Sequence, residues 1–255
     1  MPATDIAIFD FDGTCRLQPF LEAHGTRRAD CKALSGVRRV CDAAGARVLR
    51  QHARHFGPAG LHWLGSGHYH YLTLFFVEQI EEPFALVLAD RHTDMQPSPD
   101  AGLLSCGSWL YEALETCDML QMAVVLGVDG NLAAAAPAVR RPVLFFPASD
   151  DAPADIAGAV RALPPDLPVY FSIDKDVLLP DGAVTDWGNG LLSSESLCRF
   201  IAGAGRSRLV IGADVCGDTS EVQSALRGDA MQANDASSRR IFEALQAVMP
   251  SGSQP

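Results

Sequence analysis

Six short runs of apolar residues recur along the chain, at 6–9, 84–89, 123–126, 143–146, 169–172 and 209–211, and each ends in polar residues. They are rich in Val, Ile, Leu and Phe and apolar on both faces, as strands of a parallel sheet covered by helices on each side must be. Between them lie stretches with helical spacing, at 36–54, 111–119, 153–163, 194–204 and 236–248. This alternation predicts a three-layer α/β/α fold around a central, mostly parallel sheet. A chain of 255 residues, 48% apolar, is long enough to build it as one large domain. The alanine-rich stretch 131–137 and the Pro/Asp/Ala loop 147–155 are too short to divide domains, so 1–250 is expected to be one unit and 251–255 a flexible tail.

Charge and cysteine usage narrow the function classes. Twenty Lys and Arg face 31 Asp and Glu, a formal net charge of -11, which argues against a phosphate-tracking surface and so against nucleic acid as partner. No apolar run approaches the roughly 20 residues of a membrane-spanning helix, and the N-terminus has neither the basic start nor the cleavage site of a signal peptide. A cytoplasmic location without membrane attachment is the expectation. The seven cysteines are odd in number, widely spaced and without Cys-x-x-Cys, which supports neither a disulfide framework nor a zinc ribbon.

In an open parallel sheet, ligands bind beyond the carboxyl ends of the strands. After the run 84–89 comes Asp90-Arg91-His92-Thr93-Asp94, and after 169–172 comes Ile173-Asp174-Lys175-Asp176. In extended chain, alternate residues project to one side, so Asp90, His92 and Asp94 would share a face, as would Asp174 and Asp176. Buried together, these acids must be paired, protonated or bound to metal. A donor set of carboxylate and imidazole without thiolate suits Mn²⁺ better than structural zinc. Extended residues two apart lie about 6.6 Å apart along the chain, which favours two adjacent ions over one. The glycine-rich segment Gly65-Ser66-Gly67-His68-Tyr69-His70 offers a further imidazole from either His68 or His70.

At these residues the sequence resembles the arginase/agmatinase (ureohydrolase) family. Its Asp-x-His-x-Asp is matched by residues 90–94, its Ser-x-Asp-x-Asp by Ser172, Asp174 and Asp176, and its Gly-Gly-Asp-His-Ser-Leu-Thr by the segment from Gly67 to Thr73. Aligning the Leu-Thr of that element makes His70 the ligand. The resemblance implies an arginase/deacetylase-like α/β fold and two manganese ions, one among His70, Asp90, Asp94 and Asp174, the other among His92, Asp90, Asp174 and Asp176. It further implies a metal-bridging hydroxide attacking an amidine, guanidine or amide carbon of a small-molecule substrate, with Asp94 handling the proton, and assembly as a homo-oligomer. Where the family has a His-Gly pair with a proton-shuttling His, this chain has Cys106-Gly107, so Cys106 is the candidate shuttle. The family's Asp after Ser-x-Asp-x-Asp is replaced by Leu179. Its Asp-Val-x-Glu, whose Glu grips guanidinium, is matched by Asp214-Val215-Cys216-Gly217, with Asp218 one step beyond. Asp218, Asp186 and His68 are the candidate substrate contacts.

Two rival readings remain at this level. Asp10-Phe11-Asp12-Gly13-Thr14 resembles the nucleophile motif of haloacid dehalogenase-like phosphatases, in which Asp10 would form an aspartyl phosphate and Asp12 act as acid/base with Mg²⁺. That scheme also needs a phosphate-gripping lysine and a late acidic pair, and Val222 stands where the second acid would fall. The simpler role for Asp10 and Asp12 is a strand-to-loop turn. The other rival is a non-catalytic metal-binding relative that lost its proton shuttle.

Overall fold

The computed structural model describes residues 6–22, 26–98, 100, 102–149, 151, 153–219 and 230–250. The expected tail at 251–255, and Val222, lie outside the described residues. The strands are β1 Ile6–Asp10, β2 Thr26–Asp30, β3 Val40–Cys41, β4 Gly60–Trp63, β5 Phe84–Ala89, β6 Leu104–Ser105, β7 Leu120–Leu126, β8 Val143–Phe146, β9 Val169–Asp174 and β10 Val210–Cys216. Eight of them form one all-parallel sheet in the order β2-β1-β4-β10-β9-β5-β7-β8, while β3 and β6 form a small antiparallel ladder. The helices are α1 Pro19–Glu22, α2 Ala43–Phe56, α3 Leu72–Val77, α4 Trp109–Thr116, α5 Gly130–Ala134, α6 Ile156–Ala162, α7 Ser194–Gly205 and α8 Ala230–Gln246. None of them is long and apolar enough to cross a membrane.

Successive strand residues point to opposite faces, so the sheet has two cores. Along β5, Ala85, Val87 and Ala89 join a cluster that includes Leu163, Leu197, Phe200, Ile241 and Leu245. Phe84, Leu86 and Leu88 join another, with Leu49, Phe75, Phe76, Trp109 and Leu114. Helices α6, α7 and α8 thus cover one face and α2, α3 and α4 the other, giving the expected three layers.

Local chemistry explains where elements begin and end. The helix expected from residue 36 starts at Ala43, because Asp42 caps it by accepting from the Gly45 N–H at 2.7 Å, and the preceding chain is spent on β3. The helix expected at 153–163 is shortened to Ile156–Ala162 in the same way, with Asp155 accepting from Gly158 N–H at 2.7 Å. The run 209–211 is the start of a longer strand that carries Asp214 and Cys216 to the rim of the sheet.

Candidate metal centre

The centre lies at the carboxyl ends of the adjacent strands β5, β9 and β10. β5 ends at Ala89, and the chain leaves it as a loop in which Asp94 adopts the left-handed φ of 50°. β9 runs through Asp174 and then turns at once into the 3-10 turn Lys175–Val177. The extended alternation expected for both motifs is therefore absent, and it is the loop and the turn that bring the side chains together. His70 arrives from the turn before α3.

Nδ1 of His70 lies 3.3 Å from Asp90 Oδ2, 3.0 Å from Asp94 Oδ2 and 3.6 Å from Asp174 Oδ2. Nδ1 of His92 lies 3.3 Å from Asp90 Oδ1 and 2.9 Å from Asp176 Oδ2. Two donor sets follow, His70 with Asp90 and Asp94, and His92 with Asp90 and Asp176, each with its ligand atoms within 4.8 Å of one another. Asp90 belongs to both, through different oxygens. A third set, His70 with Asp174 and Cys216, adds a thiol that the sequence presents only as a small buried hydrophobe. Its Sγ stands 3.3 Å from Asp174 Oδ2.

Whether divalent ions suit this cradle follows from its hydrogen bonds. Ser172 Oγ donates to Asp214 Oδ1 at 2.8 Å and lies 2.8 Å from His70 Nε2. Ser172 can therefore accept from Nε2–H, a tautomer assigned from this network that leaves the Nδ1 lone pair facing carboxylate oxygens. Lone pairs that face each other need a proton or a cation between them. Without a cation the proton is held tightly: burial opposes a charge on His92, yet hydrogen bonds to Asp176 and Asp90 push it up to about 11, and His70 is likewise raised well above its usual value. Burial and the surrounding carboxylates push Asp174 and Asp176 upward in turn. The donor set fits two hard or borderline divalent ions, which would take the place of those protons.

Above the cradle is a cavity of about 310 Å³, walled by Arg39, Val40, Thr93, Gln96, Ser105, Cys106, Leu132 and Trp187. Cys106 lies on this wall, its thiol pushed up to about 12 by burial and by Asp94, so it is protonated at neutral pH. Asp94 Oδ2 accepts a 2.6 Å hydrogen bond from the indole Nε1 of fully buried Trp109. Nothing in the spacing of the motif marks Trp109 as that partner; the signal is that a buried indole N–H must find an acceptor.

Three expected substrate contacts are placed elsewhere. His68 does not line the cavity; its Nδ1 accepts from Trp187 Nε1 at 3.0 Å, and Nε2 lies 3.3 Å from Asp186 Oδ2. Asp186 accepts from Ser66 Oγ at 3.3 Å, also behind the wall. Asp218 forms a fully buried ion pair with Lys175, whose Nζ also donates to Ser238 Oγ at 2.8 Å. A buried ammonium demands an acid, and Asp218 is the one that answers it. Gly217, where the resemblance would put a guanidinium-gripping Glu, has φ 94°, and a Cβ there would sit 2.2 Å from Asp174 Oδ1. No side chain larger than hydrogen fits.

The phosphatase-like motif is saturated by its own surroundings. Asp10 Oδ2 lies 3.1 Å from Arg16 Nε and 3.0 Å from Lys32 Nζ, and Oδ1 accepts from Gly13 N–H at 2.9 Å. Asp12 caps Thr14. Both close the turn after β1, and neither lines the cavity.

Known structures share this architecture. The chain superposes with a TM-score of 0.65 on arginase from Bacillus subtilis, at 13% identity over 100% of this chain and 99% of that one. With formiminoglutamase of Trypanosoma cruzi, solved with Mn²⁺, the TM-score is 0.66 at 12% identity, covering 97% and 95%. Proclavaminate amidino hydrolase of Streptomyces clavuligerus gives 0.64 at 16% identity, covering 96% and 93%. The fold is therefore that of the arginases and amidinohydrolases. In sequence, an uncharacterised protein of Thermotoga maritima is 32% identical over 164 residues, a stretch spanning 64% of this chain and 60% of the relative. No family model matches the chain.

Proposed function

We propose that the chain is a divergent ureohydrolase, a binuclear manganese enzyme that hydrolyses a non-peptide C–N bond in a small guanidino, amidine or related metabolite. One observation carries this reading: Asp90 offers its two oxygens to two different imidazole-carboxylate sets at the end of β5. His70, Asp90, Asp94 and Asp174 would hold one ion, and His92, Asp90, Asp174 and Asp176 the other. When bound, the ions supply water made nucleophilic at neutral pH and charge stabilisation for the developing oxyanion. The chain's own groups do the rest. The network of Ser172, Asp214 and Thr73 fixes the ring of His70. Trp109 orients Asp94, whose carboxylate can take a proton from the attacking water and return it to the departing amine. Val40, Leu132 and Trp187 give the cavity an apolar wall that limits water.

The test is metal analysis of protein loaded with manganese, followed by ammonia and urea release across guanidino, ureido and formimino compounds. Two ions per chain with turnover of one class is the expected result. Two ions without turnover of any class would make the chain a metal-binding relative, and one ion or none would reject the binuclear centre.

A further inference from the structure

Among the described residues, the cavity wall carries a cation but, apart from the four aspartates of the candidate metal centre, no acid. Asp218 and Asp186, the acids expected to greet a cationic substrate, lie elsewhere, and Gly217 leaves no room for another. If two divalent ions balance the four aspartates, Arg39 is the net charge on the described part of the wall. Resting on the reading above, we propose that Arg39 and Trp187 form an anion subsite, and that the substrate bears a carboxylate on the far side of its scissile C–N bond.

The position of Arg39 is strongly determined. Its backbone has the left-handed φ of 66°, uncommon for a residue with a Cβ. Its N–H donates to His68 O at 3.2 Å and its C=O accepts from Cys106 N–H at 3.0 Å. The ladder of β3 with β6, which pairs Val40 with Ser105, ties the next residue to the opposite wall. The guanidinium lies 4.4 Å from the centroid of Trp187, which is itself fixed by its hydrogen bond to His68. Among the described residues the guanidinium has no carboxylate partner. Stacking holds its plane while leaving its N–H groups for a planar anion, the geometry in which arginine binds carboxylate in two-point fashion. Because Arg39 is exposed at the rim, the effect is set at about fivefold rather than the larger factor of a fully buried pair.

The experiment uses three probes of matched length, 4-guanidinobutyrate, 4-guanidinobutyramide and agmatine, titrated calorimetrically into the manganese-loaded chain. The butyrate should bind about fivefold more tightly than either of the others. Arg39→Met should erase that preference while leaving amide binding within twofold, and Arg39→Lys should restore part of it. Equal or tighter binding of agmatine, no measurable binding of the butyrate, or a preference that survives Arg39→Met would each overturn the proposal. Manganese content, measured on the same samples, reports separately on the binuclear centre.

Discussion

Replacing Asp218 by Ala should destabilise the protein more than any surface change, because it strands Lys175. The ammonium is fully buried, and among the described residues its hydrogen-bond partners are Asp218 and Ser238. Taking one member from a buried pair typically costs about 3–5 kcal/mol, since the remaining charge has lost its compensation in a poorly solvating interior. Neither partner is accessible, so no discount for solvent screening applies. At about 2–4 °C per kcal/mol for a domain of this size, the midpoint of unfolding should fall by about 6–20 °C. The assay is calorimetric or denaturant unfolding without manganese, so that metal binding does not contribute. Lys175→Met should cost a comparable amount. The double variant Lys175→Met, Asp218→Leu should recover much of the loss, because an apolar pair of similar volume needs no compensation. A loss below about 1 kcal/mol for Asp218→Ala, or a double variant whose loss equals the sum of those of Lys175→Met and Asp218→Leu made singly, would refute the account of the pair as a coupled buried unit.

The centre itself yields sharper contrasts. Asp174→Ala should remove manganese binding, whereas Asp10→Ala should leave it intact, as read by bound metal after gel filtration; the reverse outcome would move the site to the β1 turn. Trp109→Phe keeps most of the ring but deletes the donor to Asp94, and should lower the unfolding free energy by about 1.5–3 kcal/mol, the usual worth of a hydrogen bond to a charged group. Cys106, with its thiol raised to about 12, should react slowly with iodoacetamide in the metal-free protein up to pH 9 and faster only as the pH climbs toward 12. Cys106→Ala should change turnover less than threefold; a hundredfold loss would restore it as the proton shuttle.

The sheet was readable where burial is two-sided. β5, β7 and β9 are buried almost throughout and so show in sequence as unbroken apolar runs. β2, with the sequence Thr-Arg-Arg-Ala-Asp, sits at the sheet edge with one face wet and leaves no such run. β4 leaves no apolar run either, because it is four residues long and includes His62, whose burial is made tolerable by stacking on Phe76 at 3.8 Å and by the Tyr170 hydroxyl. The alanine-rich stretch 131–137, for which the sequence offers no element, holds most of the short helix α5, which Asp129 caps by accepting from the N–H groups of Asn131 and Leu132.

The residues of the candidate metal centre were legible for a reason other than the one that singled them out. Alternation in an extended chain selects Asp90, His92 and Asp94, yet they converge through a loop bent at Asp94, and Asp176 through a 3-10 turn. What the sequence reported was position: acids and imidazoles crowd just past the strand ends, where a parallel sheet leaves backbone and space for ligands. The cavity wall sends no such signal. Arg39, Cys106 and Trp187 come from three loops far apart in sequence, and they meet only because β3 pairs with β6 and His68 receives the indole of Trp187. The two layers of the centre are thus fixed by different parts of the chain. Strand ends set the charge of the cradle and hence the chemistry open to it, while loop lengths and a two-residue ladder set what stands above it. Chains that share this sheet and this cradle can therefore differ in substrate without any change at the strand ends, and specificity has to be sought in the loops.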